Sequence, residues 1–145
     1  MTVDKKQGFE NCKAFLRAID TGKGYDAGIE YVKEGGAAFD CQCEALKDMT
    51  TVKEYADWLE GLGKGPLPGN TVEVKSIAFD EEQNLVTYVG VFTATHSGEG
   101  GPVPPTNKEM KSDYVYLIQM NDDGKVESMK KIWNDGFALK QVGWA

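Results

Sequence analysis

Phe9, Cys12, Phe15, Leu16 and Ile19 recur at spacings of three and four, with charged residues between them. That period lines one side of a helix. Thr21-Gly22-Lys23-Gly24 ends it, because glycine takes the left-handed cap conformation at little cost. Tyr25, Ile29 and Val32 suit a second, short helix closed by Gly35-Gly36, and residues 38–43 alternate as a strand does. Thr51-Val52-Lys53-Glu54 is a capping box, in which hydroxyl and carboxylate each satisfy a free backbone donor of the other. The helix it opens places Val52, Tyr55, Ala56, Leu59 and Leu62 on one face, and Gly61, Gly63, Gly65 and Pro66 break it.

From residue 71 the period shortens to two. Residues 71–79 and 85–96 are rich in Val, Thr, Tyr and Phe and read as strands about the turn Asp80-Glu81-Glu82-Gln83-Asn84. A Gly/Pro loop follows (97–107), then strands over 111–120 and 125–133 about the hairpin turn Asn121-Asp122-Asp123-Gly124. Residues 134–143 have the spacing of a terminal helix. Three helices with one early strand, then a long antiparallel meander, define an α+β arrangement with helices on one face of the sheet. The 145 residues predict one domain, 1–145.

Charge narrows the partners. The chain has 23 acidic against 16 basic residues, net −7, so it lacks the basic footprint that nucleic acid requires and that anionic lipid would attract. No apolar run suits a signal peptide or a membrane span, and three cysteines (Cys12, Cys41, Cys43) suit free thiols; the expectation is a cytoplasmic protein. Cys41-x-Cys43, with Cys12 and His96, resembles a metal set only loosely, because zinc spacings are wider and paired; the thiols read as small buried hydrophobes and no metal is expected. Dinucleotide, P-loop and nucleophile-elbow motifs are absent, and no cofactor is expected.

Phe92-Thr93-Ala94-Thr95-His96-Ser97-Gly98, then Pro104-Pro105-Thr106-Asn107, then Asp123-Gly124-Lys125-Val126, then Leu139-Lys140-Gln141-Val142-Gly143 form a recognisable series. It resembles the SnoaL-like polyketide cyclase branch of the nuclear-transport-factor-2-like (cystatin-like) superfamily. The resemblance implies a conical α+β barrel: a curved antiparallel sheet wrapped around N-terminal helices, with an apolar pocket at one end. It implies a homodimer paired through the outer sheet face, with Trp133 and Trp144 as candidate contacts. It also implies an acidic residue in the last strand; here that position holds Asn134, with Asp135 next to it.

Candidate chemistry follows. His96, the lone histidine, sits at a strand end beside the Gly/Pro loop and can exchange protons near neutral pH. Asp135, Asn134, Asp40 and Asp113 are the other proton-transfer or carbonyl-polarising candidates, since an apolar pocket raises a carboxyl pKa toward neutrality. Tyr88 and Phe92 share one strand face, Tyr114 and Tyr116 another; with Trp58 and Tyr55 they are candidate substrate contacts or core. The expected function is a small-molecule pocket protein, a cofactor-free enzyme doing acid–base chemistry (aldol cyclisation, isomerisation or dehydration) on an apolar carbonyl compound. The alternative is a non-catalytic ligand-binding or dimerisation module of the same fold.

Overall fold

Helix α1 (Lys5–Ile19) starts where the Asp4 carboxylate accepts the Lys6 N–H, and buries Cys12, Phe15, Leu16, Ala18 and Ile19. The computed structural model describes residues 2–145. The second helical segment is shorter than its spacing predicts: α2 (Tyr25–Gly28) passes at once into a 3₁₀ turn (Ile29–Tyr31). Gly28 sits where it does because of packing, since a Cβ there would lie 3.0 Å from Ile19 Cγ2. Strand β1 (Ala38–Cys41) stops two residues early, where the Cys43 N–H turns back to the Cys41 carbonyl at 2.9 Å. Helix α3 (Val52–Lys64) has the full capping box and buries the five residues its period selects.

The meander is β2 (Thr71–Asp80), β3 (Leu85–Thr95), β4 (Glu109–Met120) and β5 (Val126–Trp133), and helix α4 (Asp135–Gln141) follows. The sheet order is β1-β5-β4-β3-β2. The four meander strands pair antiparallel, but β1 joins the far edge parallel to β5, with Cys41 opposite Lys131. A strand separated from its partner by a helix and three strands is not bound by the hairpin rule that sets the direction of the others. Register breaks at Val74/Ser76 and Gln119/Met120 bend the sheet, which curves without closing. The result is an α+β cone. The inward side chains of β3, β4 and β5 meet α1 and α3, and Tyr55, Tyr116, Phe15, Ile19 and Met129 are fully buried there.

Candidate active site

The C-terminus of α1 carries the unexpected residue. Asp20 is its C-cap and is 4% exposed. A carboxylate at a helix C-terminus faces the negative end of the helix dipole, so local structure does not favour it. The sheet supplies the compensation. Tyr88 and Tyr114 each donate a hydroxyl to Asp20 Oδ2 at 2.5 Å, and Tyr116 donates to Oδ1 at 2.7 Å. Three donors on one carboxylate hold its charge in place without bulk water.

Strand register explains how three tyrosines converge. Tyr88 stands opposite Tyr116 and Tyr116 opposite Lys131, so β3, β4 and β5 contribute one row across the concave face. Gly90, Tyr114 and Trp133 form the next row. Glycine is required at 90: a Cβ there would lie 2.7 Å from the Tyr114 Cζ and Oη atoms. Gly90→Ala is expected to push Tyr114 off Asp20 and destabilise the fold by roughly 1–3 kcal/mol, read as a lower urea midpoint; an unchanged midpoint would show that the ring does not depend on that space.

Lys131 closes the cluster. It is 6% exposed, and its Nζ donates to the Tyr55 hydroxyl at 3.0 Å. Tyr55 and Tyr116 hydroxyls are 2.5 Å apart. Because the Tyr116 proton goes to Asp20 and the Tyr55 oxygen accepts from Lys131, the bond between the phenols runs from Tyr55 to Tyr116. A single directed path therefore leads from Lys131 through Tyr55 and Tyr116 to Asp20. Among the described residues Lys131 makes no ion pair with a carboxylate. Its ammonium lies instead 4.3 Å from the Trp133 ring centre, 5.0 Å from Tyr55, 5.4 Å from Tyr114 and 5.6 Å from Trp58. Burial pulls the Lys131 pKa down from its ordinary 10.5 to about 8, against the opposing pull of Asp20 and of the Cys41 and Cys43 thiols. Burial and the Asp20 charge push all four tyrosines well above the usual phenol value, so they remain protonated donors.

These groups form one end of a pocket enclosing about 420 Å³ of space, mouth included. Asp20, Tyr55, Tyr114, Tyr116 and Lys131 supply its polar atoms; the rest is apolar and aromatic wall, with Trp58, Phe92, Met110, Trp133 and Trp144 prominent. The terminal segment is fastened beside it. Gln141 brackets the Lys111 backbone from both sides (2.9 and 3.1 Å), Thr106 Oγ1 donates to the Val142 carbonyl at 2.8 Å, and Trp144 Nε1 donates to His96 Nδ1 at 2.9 Å. The Gly/Pro loop lies beside the pocket too, where Gly100, Gly101 and Pro102 flank Trp58, Leu62 and Trp144. Gly98 comes so close to the Gly65 carbonyl that any Cβ would overlap it.

The proton-transfer candidates of the sequence lie elsewhere. His96 is fully buried and is not among the pocket-lining residues. Its Nδ1 accepts from Trp144 and from the Thr106 N–H (3.3 Å), which places the neutral proton on Nε2. It anchors Trp144 rather than facing the pocket. His96→Ala is expected to cost about 2 kcal/mol or more, by leaving a cavity and an unpaired indole N–H. A red shift of tryptophan emission should accompany it; unchanged stability and emission would refute the anchor. Asn134 caps α4 by accepting the Phe137 N–H at 3.0 Å, and Asp135 accepts the Ala45 N–H at 2.8 Å. Asp40 and Asp113 are exposed on the outer sheet face, Asp40 beside Lys130 at 3.3 Å. All six aromatic candidates belong to the pocket or its tyrosine cluster: Trp58, Tyr55, Phe92, Tyr114 and Tyr116 line the pocket, and Tyr88 holds Asp20.

Asp20 and Lys131 are not singled out by the sequence. A faint signal existed for each. Asp20 continues the Cys12–Leu16 row at four-residue spacing, and Lys131 stands two residues from Met129 and from Trp133, on the inward side.

No protein-family model matches the chain, and a search of curated proteins finds no significant sequence match. Solved structures do match. AclR, a hydroxylase candidate from Streptomyces galilaeus, superimposes with a TM-score of 0.74 at 22% identity, over 98% of this chain and 88% of that one. IdmH, a candidate polyketide cyclase from Streptomyces antibioticus, gives 0.70 at 19% identity, over 94% and 99%. A nuclear-transport-factor-2-like protein from Burkholderia xenovorans gives 0.66 at 15%, over 99% and 98%. The fold is thus the α+β cone shared by SnoaL-like and nuclear-transport-factor-2-like proteins. Among the described residues no helix is long and apolar enough to cross a membrane.

Proposed function

We propose that this protein is a cofactor-free enzyme that moves protons on a small, uncharged carbonyl compound, binding it against Lys131. The observation that carries this reading is the directed path Lys131–Tyr55–Tyr116–Asp20 at the inner end of an apolar pocket. The amine form of Lys131, accessible because of the lowered pKa, accepts an α-proton. The ammonium so formed then donates to the enolate oxygen and stabilises it. The phenols stay protonated and pass protons along the path, while Asp20 keeps the far end negative. Enolate chemistry of this kind underlies aldol cyclisation, isomerisation and dehydration alike. The likeness to candidate cyclases such as IdmH agrees with a cyclisation.

Cyclohexanone, a β-diketone and an enone in D2O test the reading directly. The expected result is α-hydrogen exchange above the buffer rate, falling at least tenfold in Asp20→Asn. Binding of all three, seen by tryptophan quenching, with no exchange of any would overturn catalysis and leave the non-catalytic binding module. We further infer a homodimer. Trp133 and Trp144 face the pocket, so the contact would use the outer sheet face, where Ile132 is about half exposed. A monomer mass by sedimentation at micromolar concentration would refute it.

A further inference from the structure

We propose that Lys131 is also a nucleophile, and that its amine condenses with the bound aldehyde or ketone to form a covalent iminium. The proposal rests on the carbonyl reading above but goes beyond proton transfer. Its basis is geometric. Nζ has one hydrogen-bond partner, the Tyr55 hydroxyl, and no carboxylate within ion-pair distance among the described residues. It lines the pocket beside Trp58, Trp133 and Tyr114, so a ligand carbonyl in the pocket meets the nitrogen directly. Aromatic walls limit water, which favours an iminium over its hydrolysis.

The step balances without any further reactant. The neutral amine adds its lone pair to the carbonyl carbon; the C=O π bond breaks, and the oxygen takes a proton from solvent at the pocket mouth to give a carbinolamine. The nitrogen gives up a proton to Tyr55 as the Tyr55 proton passes to Tyr116 and the Tyr116 proton to the Asp20 carboxylate. Return of that proton to the hydroxyl lets it leave as water, and the nitrogen lone pair forms the C=N bond. The iminium then draws electrons from the α-carbon more strongly than a hydrogen-bonded carbonyl does. Two features of the protein suit these steps. The Tyr55–Tyr116 pair relays the proton over 2.5 Å to and from Asp20, and burial leaves about a tenth of Lys131 as free amine one pH unit below its pKa of about 8. The groups facing Nζ are Asp20 from α1, Tyr55 from α3, Tyr114 and Tyr116 from β4, and Cys41 and Cys43 at the β1 edge. Asp20 is the one carboxylate among them, and burial pushes the Cys41 thiol up to about 12.

Reductive trapping tests the proposal on the intact wild-type chain. The protein is incubated at pH 7.5 with hexanal and sodium cyanoborohydride, digested, and each lysine's alkylation rate measured by mass spectrometry. The expected result is that Lys131 is labelled roughly tenfold or more faster than exposed lysines with ordinary pKa values, that its rate rises through pH 8, and that saturating cyclohexanol protects it alone. Tyr55→Phe should slow Lys131 labelling and leave the surface lysines unchanged. Labelling of Lys131 no faster than the surface lysines, while hexanal still quenches the pocket tryptophans, overturns the nucleophile and leaves the proton-transfer reading standing. Failure of hexanal to quench or to label overturns both.

Discussion

Asp20→Asn is expected to lower unfolding free energy by about 3 kcal/mol and to slow the chemistry of the pocket at least tenfold. The reasoning starts from donors and acceptors. An ionised carboxylate only accepts, and here it accepts from Tyr88, Tyr114 and Tyr116. An asparagine of nearly the same shape offers one acceptor oxygen and an NH2 group that confronts at least one phenol already aimed inward. A buried polar group without its partner costs roughly 1–3 kcal/mol, more where a charge was involved. The loss also removes the anion that balances Lys131, so the lysine pKa should fall further below about 8. Urea denaturation and a pH profile of α-hydrogen exchange check the two effects. Preserved stability, with the profile unmoved, would show that the tyrosines do not need the charge. Asp20→Glu separates charge from position: it keeps the anion but lengthens the side chain, so it should retain more stability than Asp20→Asn while still disturbing the hydroxyl distances.

The stability difference between the native chain and Lys131→Met should change with pH by about 3 kcal/mol. Folding lowers the Lys131 pKa from 10.5 to about 8. Between those values the unfolded chain holds a proton that the native chain has released, so this group's contribution to stability rises with pH. Its penalty is complete below about pH 8 and vanishes by about 10.5. A shift of two and a half units at about 1.36 kcal/mol each gives the expected size. Methionine has a similar volume and no charge, so its variant lacks the term. The absolute curve would mislead, because the Cys12 and Cys41 thiols, pushed up to about 12 by burial, pull the other way above pH 9. Taking the difference cancels Cys12, which does not feel Lys131, and leaves of Cys41 only its coupling to the lysine. The variant's stability relative to the native chain should therefore be highest at pH 7 and decline steadily to pH 10.5. A flat difference would mean that Lys131 titrates as an ordinary lysine and would remove the amine form from the proposed chemistry.

Much of the fold was legible because local rules produced it. The capping box at Thr51–Glu54, the hairpin turn at Asn121–Gly124 and the alternation through 109–120 all depend on residues within a few positions of one another. Alternation also put Tyr114 and Tyr116 on one face, and the helical period put Tyr55, Trp58, Leu59 and Leu62 together. Where local rules gave out, so did the reading. The direction of β1 depends on a partner ninety residues away, Ala38 pairing with Ser128. His96 stood in a suggestive place, at a strand end beside a flexible-looking loop, yet Trp144 and Thr106 claim its Nδ1. The position where the resemblance implied an acid holds Asn134, which caps α4, and the adjacent Asp135 serves a backbone N–H of residue 45.

The sequence by itself determined the elements, the α+β class and the aromatic character of the pocket, because periodicity is a property of neighbours along the chain. It set the expectation of no nucleic-acid or anionic-lipid partner as well, since net charge is a sum. The tertiary structure decided which titratable groups matter. With 23 acids and 16 basic residues, composition favours a solvated role for each one. Asp20 and Lys131 escape it only because helix α1 ends under the sheet, and because strand register aligns Tyr88, Tyr116 and Lys131 in one row. The desolvation that depresses the lysine and makes the carboxylate depend on its tyrosines exists only once those surfaces have closed over them.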